Sequence, residues 1–232
     1  MRKGIITLGV IGIIFCLLFA FGPMVVRMIN DKGLQAADIS TGGEPASVEM
    51  DGTWETVEGY GSNRTQAGYT FGEKLPAETK TTSGRADNID GDNVSGELLV
   101  ADKQLTEAKI TVQVAAISSD NQKRDNNVRN HILHTDEYPE ATFSLTKPVD
   151  VSQVPADGSV AAVEATGDLT LHGVTKSVTT ELKVLRTGES VIVQGNVPVK
   201  RSDYGIDAGQ FVASVIKDEG TVDLLLVFQQ KS

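Results

Sequence analysis

The sequence predicts an all-β fold, an antiparallel β-barrel of about eight strands with one short lid helix, preceded by an N-terminal transmembrane helix. Three observations carry this prediction. From Asp51 onward apolar residues alternate with polar ones, as in Ile110, Val112 and Val114 or Phe143 and Leu145, the period of two that half-buried strands impose. These runs recur at hairpin spacing, divided by glycines such as Gly91, Gly158, Gly173, Gly188 and Gly220. One stretch, residues 118–143, breaks the alternation. There Asp120 can cap a helix start, Val128 and Ile132 stand four apart on one face, and Tyr138-Pro139 forces an extended exit. A short helix inserted between two strands of a closed sheet has room over one end of the barrel.

Taken in order, residues 1–28 contain a continuous run of 23 uncharged residues, 4–26, enough helix to cross a hydrocarbon core of about 30 Å. The apolar run is longer than a cleavable leader needs and no small-x-small site follows Ala20, so it reads as a retained anchor. Arg2 and Lys3 place the N terminus in the cytoplasm and the domain outside it. Residues 29–50 are polar, with Gly42-Gly43 and Pro45, and read as a flexible linker. The barrel domain is 51–232, with Trp54 packing under its start. Strands are predicted at 67–71, 79–89, 93–101, 105–117, 141–145, 160–171, 177–185, 191–199, 211–216 and 221–228. The last of these, from Val222, is apolar on both faces, which suits a strand covered on both sides and favours closure over an open sandwich.

The 31 acidic residues outnumber the 21 basic ones for a net charge of −10. Setting aside Arg2, Lys3, Arg27, Asp31 and Lys32 leaves 17 basic against 30 acidic residues, so the domain repels phosphate backbones and nucleic acid is not a partner. The single cysteine, Cys16, lies in the apolar run, which excludes an intrachain disulfide and any cysteine nucleophile or metal site in the domain. No G-x-S-x-G elbow, phosphate loop or dinucleotide glycine pattern occurs, and the chain is read as no enzyme.

Three stretches are more specific. The helix region carries Lys123-Arg124-Asp125, then Tyr138-Pro139 and Thr142-Phe143; residues 167–176 read GDLTLHGVTK; and residues 200–206 read KRSDYGI, with Arg201-Ser202-Asp203-Tyr204-Gly205 at a polar turn. In this order, across residues 51–231, they resemble the YceI-like family of lipid-binding, lipocalin-like barrels. The resemblance implies an elongated barrel whose apolar interior holds one long amphiphile, a polyisoprenoid or fatty-acid-type lipid, as its only cofactor-like ligand. Family members are usually secreted after loss of a leader, whereas this chain keeps an anchor at the cell membrane.

Apolar area is what binds a long chain, at about 0.8 kcal/mol per buried methylene. The cavity candidates are Tyr69, Phe71, Ile110, Val112, Val114, Phe143, Leu145, Leu169 and Leu171, with Val128 and Ile132 from the lid; core packing is the ordinary alternative for each. Arg124, Arg129, His172, Lys176 and Arg201 are candidates for holding a polar head group at the mouth. His131 and His134 are three apart on the helix, a usable zinc spacing, but with no HExxH or cysteine pair no metal is assigned. The alternative to a carrier is a cell-envelope adaptor with a filled barrel that meets a protein partner.

Overall fold

The computed structural model of the chain describes residues 38–39, 41–208 and 215–231. The predicted anchor lies outside the described residues, and among those described no helix is long and apolar enough to cross a membrane. The strands are β1 (Gly52–Val57), a small β2–β3 hairpin (Gly59–Tyr60, Asn63–Arg64), β4 (Gln66–Lys74), β5 (Thr79–Asp87), β6 (Val94–Ala101), β7 (Gln104–Gln113), β8 (Glu140–Leu145), β9 (Val149–Asp150), β10 (Val160–Leu171), β11 (Val174–Thr187), β12 (Ser190–Lys200) and β13 (Val215–Gln230). Among them β1, β6, β7, β8, β10, β11, β12 and β13 pair in that order, and β13 pairs back to β1, so eight strands close a barrel. Every pairing is antiparallel.

Closure depends on β13, which serves two neighbours along one edge. Its first part pairs with β4, from Val215 opposite Lys74 to Leu225 opposite Gln66, and its end pairs with β1, from Val227 opposite Val57 to Gln230 opposite Trp54. The β4–β5 hairpin therefore continues the wall above β1 and β6. Sequence alone divides this strand at Gly220 into 211–216 and 221–228; residues 209–214 lie outside those described, and the rest is one strand with a register shift between Ile216 and Gly220. The glycine marks a close approach, since a Cβ there would stand 2.3 Å from the Phe71 ring.

Side chains alternate along β13 as its apolar run predicts. Leu224, Leu226 and Phe228 face the interior core with Trp54, Val94, Val100 and Val184, while Leu225 and Val227 form an outer cluster with Leu185 and Ile192. Ile39, 2% exposed, closes that outer cluster. The segment between Ile39 and β1 is held down as well, where composition predicts a flexible linker: Gly43 N donates to Gly158 O (2.8 Å), Ala46 N to Ala156 O (2.8 Å) and Ser47 N to Gly188 O (2.8 Å). Backbone groups make these bonds, so no side-chain pattern announces them. Trp54 is 1% exposed and its indole N–H donates to Met50 O at 3.0 Å, which ties the segment to the core.

Candidate functional site

The core around Trp54 and Phe228 fills one half of the barrel. In the other half, at the end that carries the β4–β5 and β10–β11 turns and the long β7–β8 connection, the wall bounds a partly open cavity of about 320 Å³. That is the low end of the size range of small-molecule sites. Its wall is mostly apolar: Ala67, Tyr69 and Phe71 of β4, Val112 of β7, Leu171 at the end of β10, Val199 of β12 and Val222 of β13.

A helix covers it. Asn121 is in extended conformation and its side chain accepts from Lys123 N (3.0 Å) and Arg124 N (3.3 Å), starting α1 (Gln122–Asn127) one residue after the predicted cap at Asp120. Asp120 instead pairs with Arg124. Asp125 is buried and accepts from Ser119 N (2.9 Å) and Oγ (2.5 Å), fixing the helix to the chain that leads into it. The helix then widens into a π-turn (Val128–Ile132), in which Leu133 N donates to Val128 O at 2.8 Å. Val128 and Ile132, each 8% exposed, pack on Ala208 and, with Leu133, roof the cavity.

The structure brings Tyr69, Phe71, Val112, Val114, Val128, Ile132 and Leu171 to the cavity wall. Four other candidates face inward but do not reach it. Ile110 and Leu145 pack into the filled half of the barrel, and Phe143 and Leu169 belong to a packed cluster with Val197 and Tyr204. The Phe143 ring lies over Gly167, where a Cβ would stand 2.3 Å away. Alternation assigns a side chain to a face and says nothing of its depth along the barrel axis. Ile117, Tyr138, Ala141, Tyr204 and Ile206 also line the cavity and escaped the sequence reading. All but Ala141, which is in β8, sit in turns and connections, where no period operates; the motif residues Tyr138-Pro139 and Tyr204-Gly205 were the available signal.

Of the head-group candidates, Arg124, His172 and Arg201 line the cavity. Arg129 is corrected to a structural role: its Nε donates to Ala115 O (2.7 Å) and Nη2 to Ile117 O (3.2 Å), pinning the helix to the short turn that follows β7. Lys176 lies outside the cavity, on the exposed start of β11, 3.7 Å from Asp203. The His172 ring packs tilted against Tyr138, with centroids 4.2 Å apart, and stands 5.8 Å from His134.

Burial pushes the Tyr69 phenol up to about 12, against the opposing pull of the Arg124 charge and with Asp125 adding to the rise. Its folded pKa lies above its ordinary value of 10.0, so the stability this group contributes is fully present below pH 10 and is lost as pH climbs towards 12. In an ultraviolet titration of phenolate absorbance the last phase is expected near pH 12 and absent in Tyr69→Phe. A last phase unchanged by the substitution would mean that the phenol is not buried.

The outer face of the cavity's own wall holds a second polar arrangement. Val222 lines the cavity, so Asp223 projects from the other face of β13. There Arg85 Nη2 donates to Asp223 Oδ2 at 2.7 Å, with side chains 6% and 3% exposed. Thr70 Oγ1 donates to the same oxygen (2.6 Å), while Asn196 Nδ2 (2.8 Å) and Thr221 Oγ1 (2.6 Å) donate to Oδ1. This network joins β5, β4, β13 and β12, the strands that form one side of the cavity.

Comparison with known proteins agrees with the architecture. A solved structure of a polyisoprenoid binding domain from Saccharophagus degradans, implicated in plant cell wall breakdown, is 22% identical, with a TM-score of 0.57 over 72% of this chain and 98% of that one. Burkholderia cenocepacia BcnA is 21% identical, with a TM-score of 0.54 over 70% and 95%. At the sequence level a UPF0312 protein of Vibrio parahaemolyticus is 31% identical over 174 residues, 74% of this chain and 75% of the relative. Protein YceI of Shigella flexneri is 36% identical over 123 residues, 48% and 60% of the two chains. The model of the YceI-like domain matches residues 62–228, from β3 nearly to the end of β13 and so seven of the eight barrel strands, and the chain belongs to that family.

Proposed function

We propose that the protein binds a single-chain amphiphile of the prenyl or acyl type, taking its tail into the barrel under the helix. The observation that carries this reading is the apolar cavity of about 320 Å³ between the filled core and the helix. Such a space binds by burying methylenes, each contributing about 0.8 kcal/mol, and needs no reacting groups. The binding of a polyisoprenoid by the Saccharophagus degradans domain, which has the same fold, supports a lipid as the ligand class. With the uncharged run at residues 4–26 as a membrane anchor, the domain faces the extracytoplasmic side and meets lipid at high local concentration.

The test is to purify the full chain from membranes in a fluorinated surfactant, record its native mass, and identify what solvent extracts from it. One prenyl or acyl chain per protein is the expected result. A protein that arrives empty and also takes up no added lipid would overturn the reading and leave the adaptor.

A further inference from the structure

The segment that leads into the barrel lies along its outer wall in one direction. Ala46 bridges Gly188 in the β11–β12 turn, at the filled end where Ser190 pairs with Gln229. Gly43 stands against Thr187, Ile39 packs on Leu185 and Ile192, and Asp38 Oδ1 meets Lys183 Nζ at 3.1 Å. Read from Ala46 back to Asp38, the chain climbs β11 and β12 away from the filled end and towards the cavity. Only the eleven residues 27–37 then separate this point from the uncharged run at 4–26, and they span at most about 40 Å. The start of β11 at Val174 lies nine residues beyond Lys183, about 30 Å further along the strand. The β11–β12 turn is five residues away on the other side, about 16 Å. Length therefore admits either end at a membrane, and the surfaces of the two ends decide between them.

Two features favour the cavity end. Val174 and Val215, 36% and 55% exposed, stand on its rim: Val174 pairs with Leu171, Val215 precedes Ile216, and both Leu171 and Ile216 line the cavity. Charge is divided unevenly as well. The segments that form the rim and roof, residues 73–80, 118–140, 172–176, 200–208 and 215–219, hold nine basic and eleven acidic residues, whereas the rest of the chain from residue 33 onward holds eight and 19. The rim end is thus nearly neutral, and the repulsion that an anionic leaflet exerts on this acidic domain falls on the filled end. We propose that the barrel sits with the rim of its cavity against the membrane surface, Val174 and Val215 touching the lipid head groups, so that the cavity opens onto the leaflet. The docked segment at residues 38–47 sets this orientation by directing the tether towards the rim. The proposal rests on the uncharged run being an anchor, as in the function proposed above, and adds how the domain is turned on its membrane.

The experiment is contact quenching of a bimane label on the full chain, reconstituted in vesicles of phosphatidylcholine and phosphatidylglycerol that contain a lipid spin-labelled near its head group. Single cysteines are introduced into a Cys16→Ser chain by Val174→Cys, Val215→Cys and, in the β11–β12 turn at the opposite end, Glu189→Cys. All three replaced side chains are exposed, so the label leaves the core undisturbed. Quenching at the two rim positions is expected to exceed that at the turn by about threefold or more, because about 45 Å of strand separates the two ends of β11. Equal quenching at the three positions, stronger quenching at the turn, or no quenching at any of them in a chain that floats with the vesicles would each overturn the orientation and leave an anchored carrier standing. A chain that does not float with the vesicles would overturn the anchor and the orientation together.

Discussion

Asp223→Ala is expected to destabilise the barrel by about 3–5 kcal/mol, the cost of leaving one member of a buried ion pair without the other. The carboxylate accepts four hydrogen bonds from four residues, Arg85, Thr70, Asn196 and Thr221. Its loss strands a guanidinium that is 6% exposed. Burial already pulls the Arg85 pKa below its ordinary value, and Asp223 is the largest influence opposing that pull. Without Asp223 the desolvation is unopposed; the contacts of Arg85 Nη1 with Tyr69 O (2.5 Å) and Gly84 O (2.8 Å) supply dipoles and no charge. Urea unfolding with an unchanged m-value is the measurement. The double variant Arg85→Leu plus Asp223→Leu should recover much of the loss, because it buries no charge at all. A cost below about 1 kcal/mol for Asp223→Ala would show that the pair is solvated.

Val128→Asp combined with Ile132→Asp should weaken uptake of a fluorescent fatty acid at least a hundredfold while the barrel stays folded. Both side chains are 8% exposed against Ala208, so two carboxylates would have to be desolvated to keep the roof in place. The helix would leave the cavity and expose its wall. The filled half of the barrel lies apart from this contact, with Trp54, Val94 and Phe228 each at or below 1% exposure, and it should keep the near-ultraviolet circular dichroism of the folded state. Lower pH should restore part of the uptake, since a neutral carboxyl is cheaper to bury than a charged one. Uptake equal to that of the parent chain would mean that the helix is no cover.

Much of the wall was legible before any coordinates. Strand positions followed from alternation because each strand has one face on a packed interior, and the helix stood out because Val128 and Ile132 interrupt that period. The site was legible in part. Seven apolar candidates line the cavity because sequence period fixes which face a residue joins; Ile110, Phe143, Leu145 and Leu169 join the same face at other depths. Arg129 and Lys176 were indistinguishable from Arg124 and Arg201 in sequence, since all four are cations in polar stretches, and only the fold shows which of them stand at the cavity.

Local chemistry was therefore sufficient for the all-β class and most strand positions, though not for β1, and for the helix, the double apolar face of β13 and the acidic character of the domain. Each depends on neighbours within a few residues or on composition. What required the folded chain is everything joined across long separations: the pairing of Arg85 with Asp223, 138 residues apart, the docking of Ile39 on β12 and β13, and the division of the interior into a filled half and an open one. Register sets which residues share a level of the barrel, and register comes from the mutual fit of many strands. No single strand encodes it.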